Sequence, residues 1–297
     1  MTTGYYEEDY QRIAAVSQES SFLPETGIEI IRNLNGRKPP RHVLFDFDGT
    51  LSLIREGWMD VMVPMMVEIL TATGTDEPQE RLTAVARDFV TELTGKQTIY
   101  QMIRLAEEVS KRGGTPEDPG VYKGLYHDRL MERIASRRED LRSGKASPND
   151  MLVPYSIELL DELRRRDAIV YVASGTDEKY VFEEVALLGL DQYFGKHVYG
   201  AKEDYKSFSK AMVIERILKE NRVEGELLLG FGDGYVEIQN VKPAGGLAVA
   251  VASDEAGRSG KPDAWKRDRL IGAGADLVIP DFRDYGPLTA CLWSGDR

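Results

Sequence analysis

The segment His42-Val43-Leu44-Phe45, followed at once by Asp46-Phe47-Asp48-Gly49-Thr50, constrains the fold of this chain more than any other. A short, mainly apolar run that ends abruptly in acids and glycine reads as a strand buried on both faces and feeding a loop. The pattern recurs at residues 168–173 before Ser174, 227–231 before Asp233 and 247–251 before Ser253, with a shorter copy at 277–279 before Pro280 and Asp281. Between the copies, residues 156–165, 179–188 and 210–219 carry helical patterns. Strands alternating with helices build a parallel sheet covered on both faces, so the expected class is α/β, doubly wound.

That alternation breaks between residues 53 and 150. Residues 58–70, 81–93, 99–111 and 122–137 all read as helices with no strand among them, which predicts a helical insertion after the first strand. Met59, Met62, Met65 and Met66 are expected to fill its core. Ahead of the first strand, an apolar stripe at Ile28, Ile31 and Leu34 stops at Gly36-Arg37-Lys38-Pro39-Pro40 and is expected to pack against the body. The expected division is a leader over 1–40, an α/β core over 41–52 and 151–297, and a helical insertion over 53–150.

With 297 residues the chain can bury a large core carrying an insertion. Lys and Arg total 38 against 50 for Asp and Glu, a formal charge of -12 and the wrong sign for gripping a nucleic-acid backbone over a broad surface. No nucleic-acid partner is expected, and any basic group that binds an anion must act locally. Cys291 is the single cysteine, so no intrachain disulfide can form, which fits a reducing compartment. The first ten residues are acidic and lack a basic segment leading into an apolar one, and nowhere do 18 apolar residues follow one another. A soluble, cytoplasmic protein with no membrane contact is expected; nothing in the pattern sets an oligomeric state. His42, His127 and His197 show no metal-ligand spacing.

Ligands of open parallel sheets bind beyond the carboxyl ends of the strands. There stand Asp46 and Asp48, then Ser174-Gly175-Thr176, then Gly232-Asp233-Gly234 with Glu237 following. So many carboxylates at one edge need a cation, and an oxygen-only set without His or Cys points to magnesium. A phosphate monoester fits the remainder, because its dianion needs a metal, oriented N–H groups and a lysine before a carboxylate can approach. Ser174 and Gly175 stand between a strand and the helix expected near Asp177, where hydroxyl and amide hydrogens can face an anion. Of Lys196, Lys202, Lys206 and Lys210, the last opens the apolar pattern Met212, Ile214, Ile217, Leu218 and is the best placed, with Lys206 its substitute. Asp46 would attack phosphorus, and Asp48 would protonate the leaving oxygen and then activate water. In the insertion, Thr94-Gly95-Lys96-Gln97 is a polar break whose plain reading is an interhelical loop, and which could also present Lys96 to the far end of a substrate.

Two other readings of these loops fail. A calcium loop starting at Asp46 would put Leu51 at the turn glycine and Gly57 at the bidentate glutamate. A dinucleotide fingerprint at Gly230-Phe231-Gly232 would find Tyr235 where its last glycine belongs, and an acid where pyrophosphate would approach.

With these residues assembled, the chain resembles the haloacid dehalogenase superfamily of phosphohydrolases. Asp46-Phe47-Asp48-Gly49-Thr50 matches the first motif, Ser174 after its strand the second, a lysine at a helix start the third, and Gly232-Asp233-Gly234-Tyr235-Val236-Glu237 the fourth. The resemblance spans residues 41–281. It implies that Asp46 is nucleophile and metal ligand, and that Asp48 is acid and base and gives its carbonyl to the metal. It further implies that Ser174 and Lys210 hold the phosphate and that Asp233 and Glu237 complete a Mg2+ site, Glu237 through water. The helical insertion corresponds to the family's small cap domain. Asp48 argues for P–O chemistry, since dehalogenases and phosphonate-cleaving members lack an aspartate there. The expected activity is hydrolysis of a small phosphorylated metabolite, such as a sugar phosphate, through an aspartyl phosphate. The alternatives are a sugar phosphomutase and, from another class, a catalytically silent binding protein; the complete acidic set disfavours the latter.

Overall fold

The computed structural model describes residue 10, residues 12–14 and residues 20–294. Eight strands form one sheet: β1 (Ser21–Phe22), β2 (Glu29–Ile30), β3 (His42–Phe45), β4 (Ile169–Asp177), β5 (Val198–Ala201), β6 (Leu228–Gly232), β7 (Leu247–Val251) and β8 (Leu277–Ile279). Four helices lie between β3 and β4, namely α1 (Met59–Thr71), α2 (Gln79–Glu92), α3 (Thr98–Lys111) and α4 (Pro119–Arg142), with α5 (Ser156–Arg165) leading into β4. After β4 come α6 (Glu178–Leu187) and α7 (Asp191–Phe194), then α8 (Lys210–Asn221) after β5 and α9 (Tyr235–Val241) after β6. The helices α10 (Ala264–Gly272) and α11 (Tyr285–Trp293) flank β8.

The sheet order is β1-β2-β8-β7-β6-β3-β4-β5. From β8 to β5 every pairing is parallel, so the fold is α/β and doubly wound. The parallel part starts in the middle at β3, winds outward through β4 and β5, then returns to the other side of β3 to lay down β6, β7 and β8. The strand order therefore reverses between β3 and β6, and an open sheet offers a ligand crevice at that point. The ladder of β3 on β6 continues past the strand end, where the Asp46 amide donates to Phe231 O at 2.9 Å. Below it, Phe45 stacks on Phe231 with centroids 4.9 Å apart and planes 9° apart, and Phe282 packs edge-on against both. A close-packed aromatic floor of this kind holds the loops above it in place.

The strand after β6 and the helices beside it follow the sequence pattern closely, whereas three details differ from it. β4 runs on to Asp177, so Ser174, Gly175 and Thr176 belong to its last turn of strand, with a register shift against β5 between Ala173 and Asp177. β5, with a glycine in a four-residue run, carries too little period to be read as a strand. Part of the expected leader joins the sheet: β2 pairs antiparallel with the edge strand β8, β1 pairs antiparallel with β2, and Ile28 is buried in the core. Residues 1–9, 11 and 15–19 of that leader lie outside the described residues.

The chain passes between sheet and helical insertion twice, and the two passages run side by side. Leu53 N donates to Met151 O at 2.8 Å and Val153 N to Leu51 O at 2.9 Å. Met62, Met65 and Met66 are buried in the insertion's core, and Met59 packs against it partly exposed. Among the described residues no helix is long and apolar enough to cross a membrane.

Candidate active site

A cleft of about 110 Å³ opens at the carboxyl ends of β3, β4 and β6, walled by the insertion. Its floor holds Asp46, Asp48, Ser174 and Lys210, and its roof includes Trp58, Lys96, Gln101 and Tyr126. The sequence-predicted residues thus meet in one place, although 164 positions separate Asp46 from Lys210.

Asp46 is 6% exposed and accepts a hydrogen bond from Lys210 Nζ at 2.7 Å. Burial pushes its carboxyl up to about 7; Lys210 opposes that rise, and the neighbouring carboxylates Asp233 and Asp48 add to it. Lys210 opens α8, whose N-cap Ser209 accepts from Met212 N, and that helix start aims the ammonium inward. Lys210, 3% exposed, also contacts Glu237 Oε1 from the first turn of α9. The other oxygen of Glu237, Oε2, is buried with no hydrogen-bond partner among the described residues. Lys206 is exposed on the short turn before α8, with its ammonium 5.7 Å from the centre of its neighbour's Tyr205 ring. Of the two lysines left open by the sequence, Lys210 is the one that reaches Asp46.

Asp48 turns its Oδ2 toward β4, where it accepts from Ser174 Oγ at 3.2 Å and Thr176 Oγ1 at 2.9 Å. Its Oδ1 has no hydrogen bond and faces the Arg55 guanidinium, with Nε at 3.6 Å. Asp233 stands in the turn from β6 into α9, its amide donating to Thr50 Oγ1 at 2.9 Å while its Oδ1 accepts from the same hydroxyl at 3.3 Å. Gly49 sits between these loops at φ +77°, and a Cβ there would fall 2.2 Å from Asp233 Oδ2. Only glycine permits that backbone so close to the carboxylate.

Gly175 has the same kind of constraint from the insertion side. A Cβ on it would lie 2.8 Å from Lys96 O, so the Thr94–Gln97 break is pressed against the end of β4. Gln97 Nε2 ties that break to the approach to α8 by donating to Tyr205 O at 3.1 Å and Phe208 O at 2.8 Å. Lys96 is buried in the cleft wall with Nζ 5.2 Å from the Tyr100 ring centre. The three histidines stand elsewhere: His42 bonds Tyr171 Oη at 3.0 Å, His197 stacks on Tyr171 and His127 on Tyr180.

Sequence reasoning missed three charged groups. Lys266 of α10 reaches Asp233 Oδ2 at 2.8 Å and Glu255 Oε1 at 2.6 Å. Burial alone would depress its ammonium, but Asp233 and Glu255 outweigh that and hold it above its ordinary value. Glu255 could have been found, because it follows the Ser253 that ends the β7 segment, by the same rule that singled out Asp46. Nothing local marks Lys266, and Arg55 carries only the weak signal of a charge directly after an apolar run. Among the described residues no three Asp, Glu, His or Cys side chains form a ready-made metal cluster.

The structure resembles several solved ones at low identity. A conserved haloacid dehalogenase-like protein of unknown function from Agrobacterium tumefaciens shares 16% identity with a TM-score of 0.54, over 85% of this chain and 99% of that one. A predicted phosphatase from Clostridium acetobutylicum shares 14% with a TM-score of 0.55, over 84% and 98%. A β-phosphoglucomutase from Clostridium difficile shares 13% with a TM-score of 0.54, over 85% and 97%. At these identities the likeness is one of fold. No curated protein matches the chain significantly. The family model for haloacid dehalogenase-like hydrolases matches residues 40–245, a span that holds Asp46, Asp48, Ser174, Lys210, Asp233 and Glu237, and on that match the chain belongs to the haloacid dehalogenase-like hydrolase family.

Proposed function

We propose that this protein is a magnesium-dependent phosphatase that hydrolyses a small phosphate monoester through an aspartyl phosphate on Asp46. One observation carries the reading: a buried carboxylate at a strand end, hydrogen-bonded by a buried lysine, with a second carboxylate and a serine hydroxyl beside it on the same cleft floor. Asp46 attacks phosphorus as the bond to the leaving oxygen breaks, and Asp48 gives that oxygen a proton. Asp48 then takes a proton from water, whose oxygen attacks phosphorus and frees the Asp46 carboxylate. Lys210 favours the ionised form of Asp46 and shares its charge with the phosphoryl oxygens, while the Ser174 hydroxyl, turning from Asp48 to the phosphate, binds it together with the Gly175 amide.

The charges around the cleft fit a divalent cation. Asp46, Asp48, Asp233, Glu237, Glu255 and, behind them, Glu184 outnumber Lys96, Lys210, Arg55 and Lys266 by two formal charges. The unpartnered Glu237 Oε2 is a sign of that excess, and Asp233 and Asp48 add to the rise that burial imposes on the Asp46 carboxyl. Asp46, Asp233 and the Asp48 carbonyl would hold the ion, with Glu237 through water, and the few protein ligands suit magnesium, which keeps much of its water shell. When bound, the ion would supply charge neutralisation to the phosphoryl oxygens.

Residues 53–150 act in this reading as a cap over a core of residues 41–52 and 151–297. At about 10–15 Å³ for each water-sized group, a cleft of about 110 Å³ takes roughly 7–11 such groups, of which a phosphate uses about five. That favours a short organic phosphate, with Lys96 in reach of its far end. The test is a panel of small phosphate esters and sugar phosphates with Mg2+, following both free phosphate and isomerised product, with Asp46→Asn as blank. Release of phosphate that depends on Mg2+ and on Asp46 is expected. Isomerised product outpacing phosphate replaces the hydrolase reading with a mutase, and release unaffected by Asp46→Asn overturns the mechanism.

A further inference from the structure

Arg55 lies where the chain leaves the sheet for the insertion, and it is held from two sides. Its flanking carbonyls, Ile54 O and Glu56 O, both accept from Arg137 Nη1 of α4, at 2.9 and 2.7 Å. Its guanidinium forks onto Glu184 of α6, with Nε to Oε2 at 3.1 Å and Nη2 to Oε1 at 2.9 Å. Arg55 is 7% exposed and Glu184 0%. A buried ion pair of this kind is generally no more stabilising than two well-packed apolar side chains of the same volume, because desolvation of both charges offsets their attraction. Stability therefore does not account for it. What an apolar pair could not do is present a fixed positive charge 3.6 Å from Asp48 Oδ1, the one oxygen of that carboxylate without a hydrogen bond.

We propose that Arg55, locked by Glu184, is a positioning residue for the acid–base carboxylate Asp48, holding its buried Oδ1 on the guanidinium side while the carboxyl exchanges its proton. The inference rests on the phosphatase reading above. Oδ2 accepts from the Thr176 hydroxyl and, until phosphate binds, from that of Ser174. Oδ1 is buried beside the Arg55 guanidinium. In the first step the proton on the Asp48 carboxyl passes to the leaving oxygen as the P–O bond breaks, and the negative charge left on Asp48 forms beside the guanidinium. In the second step Asp48 recovers a proton from the attacking water, whose oxygen bonds to phosphorus. The fork onto Glu184 fixes the guanidinium, so its charge stands at a set distance from Asp48, which a lysine's flexible point charge would not do.

A positioned proton donor matters only where the leaving group needs the proton. The experiment compares kcat/KM, which reports the phosphoryl-transfer step, for acetyl phosphate and glycerol 3-phosphate with Mg2+. Acetate departs as a stable anion, whereas the alkoxide of glycerol does not. Asp48→Asn sets the reference pattern, with loss concentrated on glycerol 3-phosphate. Arg55→Lys and Glu184→Gln should reproduce that pattern, losing about 10- to 100-fold on glycerol 3-phosphate and less than about threefold on acetyl phosphate. The double variant Arg55→Met/Glu184→Leu leaves no unpaired buried charge and so guards against misfolding; it should show the same selectivity. Equal losses on both substrates, a change in KM alone, or full glycerol 3-phosphate activity in the double variant overturns the inference while leaving the phosphatase reading intact. A wild-type protein that turns over neither substrate nor any of the wider panel overturns that reading and the inference with it.

Discussion

Asp46→Asn should abolish phosphate release and at the same time make the metal-free protein more stable, by an amount that depends on pH. The carboxyl titrates at about 7 in the folded chain against an ordinary 3.8, because burial and the carboxylates of Asp233 and Asp48 outweigh the help from Lys210. A raised carboxyl holds its proton more tightly in the folded state, so stability falls as pH rises between those values. The full penalty is present above the folded value and absent below the unfolded one. A rise of that size corresponds to roughly 4 kcal/mol at pH 8 and to less than half of that at pH 5. Asparagine keeps the shape and can still accept from Lys210, whose charge remains matched by Glu237. Urea unfolding with EDTA at the two pH values should therefore place the variant above wild type by about 2–4 kcal/mol at pH 8 and by less than about 2 at pH 5. Added Mg2+ should narrow the gap by stabilising wild type. A variant no more stable than wild type at pH 8, or a gain that ignores pH, would refute the claim that function here is maintained against an electrostatic cost.

Other expectations are equally specific. Lys210→Met should lower kcat by about 10²–10³, whereas Lys206→Ala should stay within about twofold, since that lysine stands on the surface; steady-state phosphate release checks both. Gly175→Ala should cost about ten- to a hundredfold in kcat/KM, because its methyl would press on Lys96 O, 2.8 Å away, with circular dichroism showing a retained fold. At the sheet edge, Arg267 and Ser20 hydrogen bonds overcome the effect of burial and hold Glu29 below its ordinary 4.5. Its contribution to stability should be complete above that value and lost as pH falls through the lower folded one, so Glu29→Gln should be destabilised at pH 7 and converge on wild type in acid denaturation series.

The sequence by itself determined the class of fold and the identity of the expected nucleophile, because both rest on local patterns. Apolar runs bounded by acid and glycine mark β3, β6, β7 and β8, and the residues just past them fall at the crevice of any open parallel sheet. The helical insertion was legible for the same reason, since α1 to α4 each repeat their apolar positions over three turns or more. β1 and β2 were not, because two residues carry no period, and they exist only through the edge that β8 offers. Lys210 and Lys206 looked alike as letters near a helix start; the direction in which α8 leaves its Ser209 cap separated them. Arg55 and Glu184 are 129 positions apart, and Lys266 meets Asp233 across the loop beyond β7. Partnerships of that kind follow from how helices dock on the sheet, and the charge balance of the cleft is set by these distant pairs, so only the tertiary structure could decide it.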